Sequence, residues 1–332
     1  LSDESRTLAA VLAVLGGRAH VQEVDALLEM PLTERTRALR VLIDSGLVAE
    51  SASHEIICHD EVQETILHVI RQSELHQVRR QAAITLLQRL RRQFSPERAI
   101  TALSLTEKSA EVEIFVDAVI DLAPRLAAAG LWRGALAFLE RANEVAPDEA
   151  RRATVLEKLV YVANMAAEWR TVRTSANQLR ELSEGSHKMN PRIALAEIEA
   201  ALQSDLEPDS RIHAVRALGL TKSQEFGQIE RTKALRLVIA AASDLFQSDL
   251  AISAFAELQT SLIYNQELSV ASAEPHMQYH TIFGDLDAAR SIAARIYEDR
   301  VAIAATAEGV RLLNNASFVF RVTGEFDLSR QC

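Results

Sequence analysis

A helical frame that returns every 36 to 43 residues is the strongest constraint that this sequence places on its fold. Its clearest copy begins at Gly130 and continues through Trp132, Ala135 and Ala142 to Pro147. Glycine permits a tight turn between two helices, and proline prevents a helix from continuing. Small residues such as alanine let neighbouring helices approach closely. The frame therefore predicts pairs of helices that stack along the chain.

The same frame recurs with its turns at positions 130, 167, 205, 248, 284 and 324, spaced by 37, 38, 43, 36 and 40 residues. Five residues after each turn comes the expected site of close approach: Ala135, Val172, Ser210, Ser253, Ala289 and Ser329. The pattern is similar to that of tetratricopeptide repeats, which are shorter at 34 residues. Repeats of this kind stack into a solenoid with an inner groove. We therefore predict a tetratricopeptide-like α-solenoid over residues 113–332, with its last repeat truncated at Cys332.

Composition agrees with an all-α fold. Hydrophobic residues make up 48% of the chain, while only 11 Gly and 7 Pro are available for turns, too few for an all-β protein. The net charge of −10 argues against direct binding of nucleic acid by this chain. Two cysteines form no disulfide framework, and no apolar run could span a membrane. These features predict a cytoplasmic protein.

Residues 1–72 read as a winged-helix domain, with three helices followed by a small β-hairpin that ends at Cys58. Winged helices often bind DNA, but residues 1–70 hold 5 basic against 12 acidic residues, which opposes that function here. Residues 73–112 read as connecting helices. A cluster of arginines there could face nucleic acid or an acidic partner, although a solvated helix face is the favoured interpretation: Arg79, Arg80, Arg89, Arg91 and Arg92.

Two runs in the first domain carry a family resemblance, residues 38–48 and residues 57–66. They resemble the winged-helix segment of STAND-class signalling ATPases, and within that class the large ATP-binding LuxR-type regulators that include the maltose activator. His59 and Asp60 align with the His-Asp of the "MHD" motif in that class, with Cys58 in place of Met. The resemblance implies that His59 contacts the phosphates of ADP in the full-length protein. Asp60 is favoured instead as an acidic residue at the start of a helix.

The resemblance also implies domains that this chain lacks. The sequence has no G-x-x-x-x-G-K-[ST] loop to hold phosphates, so ATP or ADP would bind to an upstream nucleotide-binding domain, and this segment would bind no cofactor by itself. A downstream helix-turn-helix would bind DNA. We expect the chain to be a fragment of a signal-responsive transcriptional regulator, in which the winged helix restrains the nucleotide-binding domain until a signal permits self-association.

The first helix of each repeat would supply the side chains that line the groove. Polar and aromatic residues at those positions suit a small-molecule inducer, a peptide or a partner protein. The predicted groove residues are Tyr161, Asn164, Arg192, Glu199, Gln203, Gln278, Arg311, Asn314, Phe318 and Arg321. The plainer interpretation is a solvated concave wall. A repeat scaffold that binds proteins without any nucleotide switch is the alternative function.

Patterns that would indicate an enzyme or a metal site are weak. His276 and His280 have the spacing of paired metal ligands, but no Glu follows His276, and packing is the favoured interpretation because His280 takes a repeat position usually held by an aromatic residue. Cys58, His54 and His59 lack a fourth ligand. Nucleophile-elbow and dinucleotide-binding motifs are absent from the sequence. We therefore predict neither an enzyme nor a metal-binding protein.

Overall fold

The computed structural model describes residues 1–28, 30–51, 54–183, 190–203, 210–244, 248–262, 270–303 and 307–332. These residues form two compact units, unit 1 over Leu1–Ala166 and unit 2 over Ala167–Cys332. Within the described residues, no helix combines the length and the apolar character that crossing a membrane requires.

Unit 1 begins with three helices and a small antiparallel sheet. The elements are α1 (Asp3–Val14), β1 (Arg18–His20), α2 (Val21–Leu27), α3 (Leu32–Asp44), β2 (Val48–Glu50) and β3 (Glu55–Cys58). The strand order is β1-β3-β2, so the predicted hairpin of β2 and β3 is confirmed. Strand β1 was not predicted, because three residues are too few to show the alternation of a strand.

Local signals explain where these first elements begin and end. The hydroxyl of Ser2 accepts a hydrogen bond from the Ser5 amide and caps α1, whose Leu8 and Leu12 are fully buried. The chain then leaves the helix through Gly16 and Gly17, both at positive φ. Helix α3 begins without a cap of this kind, because the residue before it is Pro31, which offers no side-chain hydrogen bond.

The rest of unit 1 is helical: α4 (Asp60–Val69), α5 (Gln72–Arg92), α6 (Pro96–Ser109), α7 (Val112–Ala128), α8 (Trp132–Val145) and α9 (Glu149–Met165). Helix α5 packs on α6, and α7 packs on both α8 and α9. Ser95 caps α6 and Asp148 caps α9. Helices α1 and α2 also contact α5, so the N-terminal helices and the connecting helices share one packed body.

Two arginines attach the N-terminal helices to the connecting helices. Arg98 of α6 donates to the Glu23 carboxylate at 2.6 Å and to the Arg18 carbonyl at 3.3 Å. Arg89 of α5 donates to the Gln22 carbonyl at 2.6 Å. We call this group the arginine clamp. Arg89 belongs to the predicted solvated cluster; it is half-buried, and its guanidinium also binds the β1–α2 segment.

Replacing Arg98 by methionine should lower the free energy of unfolding of unit 1 by about 1–2 kcal/mol, because a charged hydrogen bond is lost and Glu23 keeps its charge in a mostly buried place. Urea denaturation followed by the fluorescence of Trp132, in a Trp169→Phe background, measures this loss. Arg80→Met is the control, since Arg80 and its partner Glu111 are both largely exposed. An equal loss in both variants would contradict a specific clamp.

The described residues of unit 2 form helices joined by turns. Its elements are α10 (Trp169–Ser183), α11 (Pro191–Gln203), α12 (Ser210–Leu220), α13 (Gln228–Asp244), α14 (Ser248–Leu262), α15 (Val270–Ile282), α16 (Leu286–Glu298), α17 (Arg300–Ile303), α18 (Ala307–Val322) and α19 (Phe326–Gln331). Two apolar cores hold these helices together. The first core surrounds α13 and includes Val238 of α13 and Phe255 of α14. The second core joins α16 to α18 through Ala293 and Phe320.

The repeat frame is confirmed in its period and corrected in its register. The second helices of the repeats begin at residues 132, 169, 210, 248, 286 and 326, spaced by 37, 41, 38, 38 and 40 residues. The fourth residue of five of these helices is small or β-branched and buried: Ala135, Val172, Ala251, Ala289 and Ser329. The Ser253 prediction is wrong, because Ser248 starts its helix instead of forming the turn, and Ser253 is exposed. The register predicted at Ser210 is also wrong, because Ser210 is the first residue of α12 and not the fourth.

The all-α fold class is confirmed, with a small sheet near the N-terminus and tetratricopeptide-like helix pairs after it. The predicted boundaries at residues 72 and 112 stay predictions. The division between compact units falls later in the sequence, after Ala166.

Candidate functional site

The first helices of the repeats in unit 2 are α11, α13, α15 and α18, and they contact one another in succession. These inner helices carry eight of the ten predicted groove residues. The structure exposes some of those eight, buries others and leaves one side chain outside the described set. The accessible surface of the inner helices therefore differs from one helix to the next.

Helix α18 exposes a continuous row of side chains along one face. Asn314, Phe318 and Arg321 are exposed at successive turns of one helix face, as predicted. Val310, Phe318 and Val322 keep 56%, 53% and 48% of their surface exposed. We call Val310, Asn314, Phe318, Arg321 and Val322 the α18 stripe. It combines an aromatic ring, a guanidinium and an amide, which together can bind a ligand by stacking, charge and hydrogen bonds. The Arg311 side chain lies outside the described ones.

Helix α11 exposes predicted residues only at its two ends. Arg192 near its start is exposed and pairs with Glu230 of α13 at 2.9 Å. Gln203 is the last residue of the helix and is also exposed. Between these residues the helix faces the core, with Ile193 and Ile198 buried. The predicted residues that α11 exposes therefore lie apart, at its two ends, and form no continuous surface.

The prediction that Glu199 faces an open groove is wrong. Its side chain is only 6% exposed and accepts contacts from two cations of α13, Lys233 at 2.5 Å and Arg236 at 2.7 Å. A carboxylate taken out of water requires such partners, because its charge is otherwise poorly solvated. The helical spacing that placed Glu199 on the inner face is correct, but neighbouring helices cover that face.

The charged contacts continue beyond Glu199. Arg236 also lies 3.8 Å from the carboxylate of Glu274 on α15, and Asn315 on α18 donates to that carboxylate at 3.1 Å. We call Glu199, Lys233, Arg236, Glu274 and Asn315 the ion network; it links all four inner helices. Four of its five members were not predicted from the sequence. One signal was available: Arg236 is the only charged residue in the run 234–242, whose other eight residues are apolar.

Helix α15 contributes packing and, among the described residues, two polar atoms without a hydrogen-bond partner, Gln278 Oε1 and His280 Nδ1. Gln278, a predicted groove residue, is half-buried, and its Oε1 has no hydrogen-bond partner among the described residues. His276 and His280 both make edge contacts with Phe255, with ring centroids 5.0 and 5.2 Å apart. Burial lowers the pKa of His280, although the charge of Asp285 opposes this shift. The predicted packing role of His280 is confirmed.

The other two predicted groove residues lie in unit 1. Tyr161 on α9 is 53% exposed, whereas Asn164, one turn later, is half-buried. They share the helix with Met165, which is also exposed. These residues form a small surface of unit 1.

His59 occupies an exposed position between β3 and α4. It is the residue before the helix, and its side chain caps no amide there, while Asp60 is the first helical residue, as predicted. The position is rigidly held: the Cys58 amide donates to the Gly17 carbonyl at 2.6 Å, and the Gln63 side chain donates to the Ala13 carbonyl at 3.0 Å. Burial, and secondarily the charge of Asp60, raises the pKa of the Cys58 thiol. The imidazole of His59 is therefore presented outward from a fixed backbone.

An exposed imidazole at this place fits a single contact to a nucleotide phosphate from another domain. It could not hold a nucleotide alone, since Asp60 and Glu61 follow in the first turn of α4 and oppose an anion. The remaining phosphate contacts would have to come from elsewhere, because the sequence contains no phosphate-binding loop.

Comparison with known proteins gives a match in fold to a solved structure and no match in sequence. No protein-family model and no curated protein matches the chain. A crystal structure of a Signal Transduction ATPase with Numerous Domains (STAND) protein from Pyrococcus horikoshii, described as having a tetratricopeptide repeat sensor, matches with a TM-score of 0.51 at 14% identity. The match covers 99% of this chain and 56% of that one, so this chain spans a little over half the length of the other protein. At such low identity the likeness concerns the fold.

Proposed function

We propose that this chain is the winged-helix and sensor segment of a STAND-type signalling protein. Its repeats would receive an inducer or a partner protein, and its winged helix would restrain a nucleotide-binding domain. The observation that carries the proposal is the match in fold over 99% of the chain to a STAND protein with a tetratricopeptide repeat sensor. The matched 99% of the chain spans the residues of both the small N-terminal sheet and the repeats.

The winged helix would act through His59. The imidazole is exposed and stands on a backbone fixed by hydrogen bonds from Cys58 and Gln63, so it can contact a phosphate of ADP without local rearrangement. The arginine clamp ties the same domain to α5 and α6. A movement of those connecting helices would therefore carry the winged helix with it, which is what transmission of a signal to the nucleotide requires. We also propose that the full-length protein controls transcription, as LuxR-type regulators do, and that it acts in the cytoplasm.

The α18 stripe is the surface we propose for the inducer or partner. Binding energy at protein surfaces is concentrated in aromatic and arginine side chains, and the stripe offers Phe318 and Arg321 at neighbouring turns. The chain itself would perform no catalysis.

A second candidate function is a protein-binding scaffold without a nucleotide switch. The apolar share of the α18 stripe favours it, because Val310, Phe318 and Val322 are each about half exposed, a surface better suited to a peptide than to a sugar. The two functions share the stripe and differ in whether His59 has a nucleotide to contact.

The native coding frame on both sides of this chain tests the proposal directly. A phosphate-binding loop upstream and a helix-turn-helix downstream would support a STAND-type regulator. An uninterrupted frame that encodes neither domain would overturn it and leave the scaffold. Where an upstream domain exists, replacing His59 by alanine in the full-length protein should speed the release of fluorescent ADP at least about tenfold, the effect of losing roughly 1.4 kcal/mol of binding.

Replacing Phe318 by alanine should weaken ligand binding at least about tenfold, a change typical of an aromatic hot spot, and leave stability within about 0.5 kcal/mol. Thermal-shift screening of metabolites and peptides identifies the ligand, and calorimetry compares the variants. Phe326→Ala is the matched control, because Phe326 is similarly exposed at 58% but begins a second helix. Equal weakening by both substitutions would count against the α18 stripe.

A further inference from the structure

The ion network is unusual for its depth. The side chains of Glu199, Arg236 and Glu274 are 6%, 7% and 6% exposed, whereas Lys233 at 34% reaches the surface. Two carboxylates face two cations, so the formal charges within the network balance. Each carboxylate also accepts more than one contact: Glu199 from Lys233 and Arg236, and Glu274 from Arg236 and Asn315.

Such a network contributes little net stability, because each charge loses its hydration when it is buried. Apolar side chains of similar volume often replace a buried ion pair without loss, or with a gain, of stability. What an ion network adds is geometric: charged hydrogen bonds need short distances, and a displaced partner leaves a buried charge without compensation. The network therefore favours one arrangement of its helices over all others.

The location makes this selectivity important. Helix α13 packs against α11, α12, α14 and α15, and its consecutive residues Leu235, Arg236 and Leu237 are all buried, so α13 is covered on different sides. Arg236 on this helix pairs with carboxylates on the two neighbouring inner helices, Glu199 on α11 and Glu274 on α15. A shift of any inner helix by one turn, about 5.4 Å, would break the ion pairs and hydrogen bonds between these groups. Apolar contacts between alanine and leucine tolerate such a shift much better.

We propose that the ion network is a conformational latch, which holds α11, α13, α15 and α18 in one mutual arrangement instead of supplying the stability of unit 2. Lys233 is the partly exposed end of the latch. The latch requires no ligand and holds whether or not the repeats are an inducer sensor.

The test removes the charges without removing the volume. The triple variant Glu199→Leu, Arg236→Met and Glu274→Leu should keep the thermal midpoint of unit 2 within about 3 °C of the parent value or raise it. Spin labels at Gln203→Cys on α11 and Asn314→Cys on α18, in a Cys58→Ala and Cys332→Ser background, report the distance between the inner helices. We expect the distance distribution of the triple variant to be at least about twice as broad as that of the parent.

A surface ion pair in the same unit provides the control. Arg290→Met with Glu325→Leu removes a pair whose arginine is 53% exposed, and it should leave the distance distribution unchanged. A lowered midpoint with an unchanged distribution in the triple variant would overturn the latch, as would no change in either quantity. If the triple variant does not fold, Glu274→Gln replaces it. This change removes one charge and keeps an acceptor for Asn315, so broadening supports the latch and an unchanged distribution overturns it.

Discussion

Replacing Arg236 alone by methionine is expected to lower the free energy of unfolding of unit 2 by about 3–5 kcal/mol, because it leaves buried carboxylates without their shared cation. Glu199 would keep Lys233 as a partner, whereas Glu274 would lose the cation that α13 provides and keep the neutral amide of Asn315. Methionine fills much of the volume of arginine, so the loss comes mainly from charge that is less well compensated. It should far exceed the loss caused by breaking an exposed ion pair, which is at most about 1 kcal/mol.

Urea denaturation followed by Trp169 fluorescence, in a Trp132→Phe background, reports the unfolding of unit 2. Arg290→Met is the matched control: its partner is Glu325, and the pair lies at the surface. We expect this control to leave the urea midpoint almost unchanged. A small effect of Arg236→Met would show that water reaches Glu199 and Glu274, which would contradict both their burial and the latch.

The fold could be predicted because its signals are local. The turn residue Gly130, the aromatic Trp132 and the small Ala135 identify one repeat, and the later copies follow from the period. The register failed where those residues were absent. Near Ser248 no glycine marks the turn, and the frame was placed two residues late, which put Ser253 where Ala251 is buried.

The candidate site could be predicted only in part, because exposure depends on tertiary neighbours. The helical spacing put Glu199 and Phe318 on comparable inner positions, yet Glu199 is buried and Phe318 is half exposed. The difference arises from α13, which covers α11, and nothing in the sequence of α11 reports how closely α13 approaches. A charged residue within an apolar run, as Arg236 is in residues 234–242, indicates a partner but does not identify it.

Replacing Gly17 by alanine should lower the free energy of unfolding of unit 1 by about 2–4 kcal/mol, the sum of a backbone cost and a clash. Gly17 has a φ of +74°, and a Cβ there would lie 2.8 Å from Gln63 Oε1 and 3.1 Å from the Cys58 carbonyl oxygen. The backbone conformation alone costs about 1–2 kcal/mol for an L-residue. The additional cost arises because the clash displaces Gln63 and β3, the groups that hold the backbone before His59.

Gly16→Ala separates the two causes. Gly16 has a φ of +87°, but a Cβ there would meet no atom within 4 Å, so only the conformational cost of about 1–2 kcal/mol applies. Trp132 fluorescence in a Trp169→Phe background measures both variants in urea. If Gly17→Ala is clearly the more damaging, close packing of Gly17 against Gln63 and Cys58 is supported, and the fixed backbone proposed for His59 gains its physical basis. Equal losses would mean that α4 adjusts freely, and His59 could not then depend on a rigid setting to contact a phosphate.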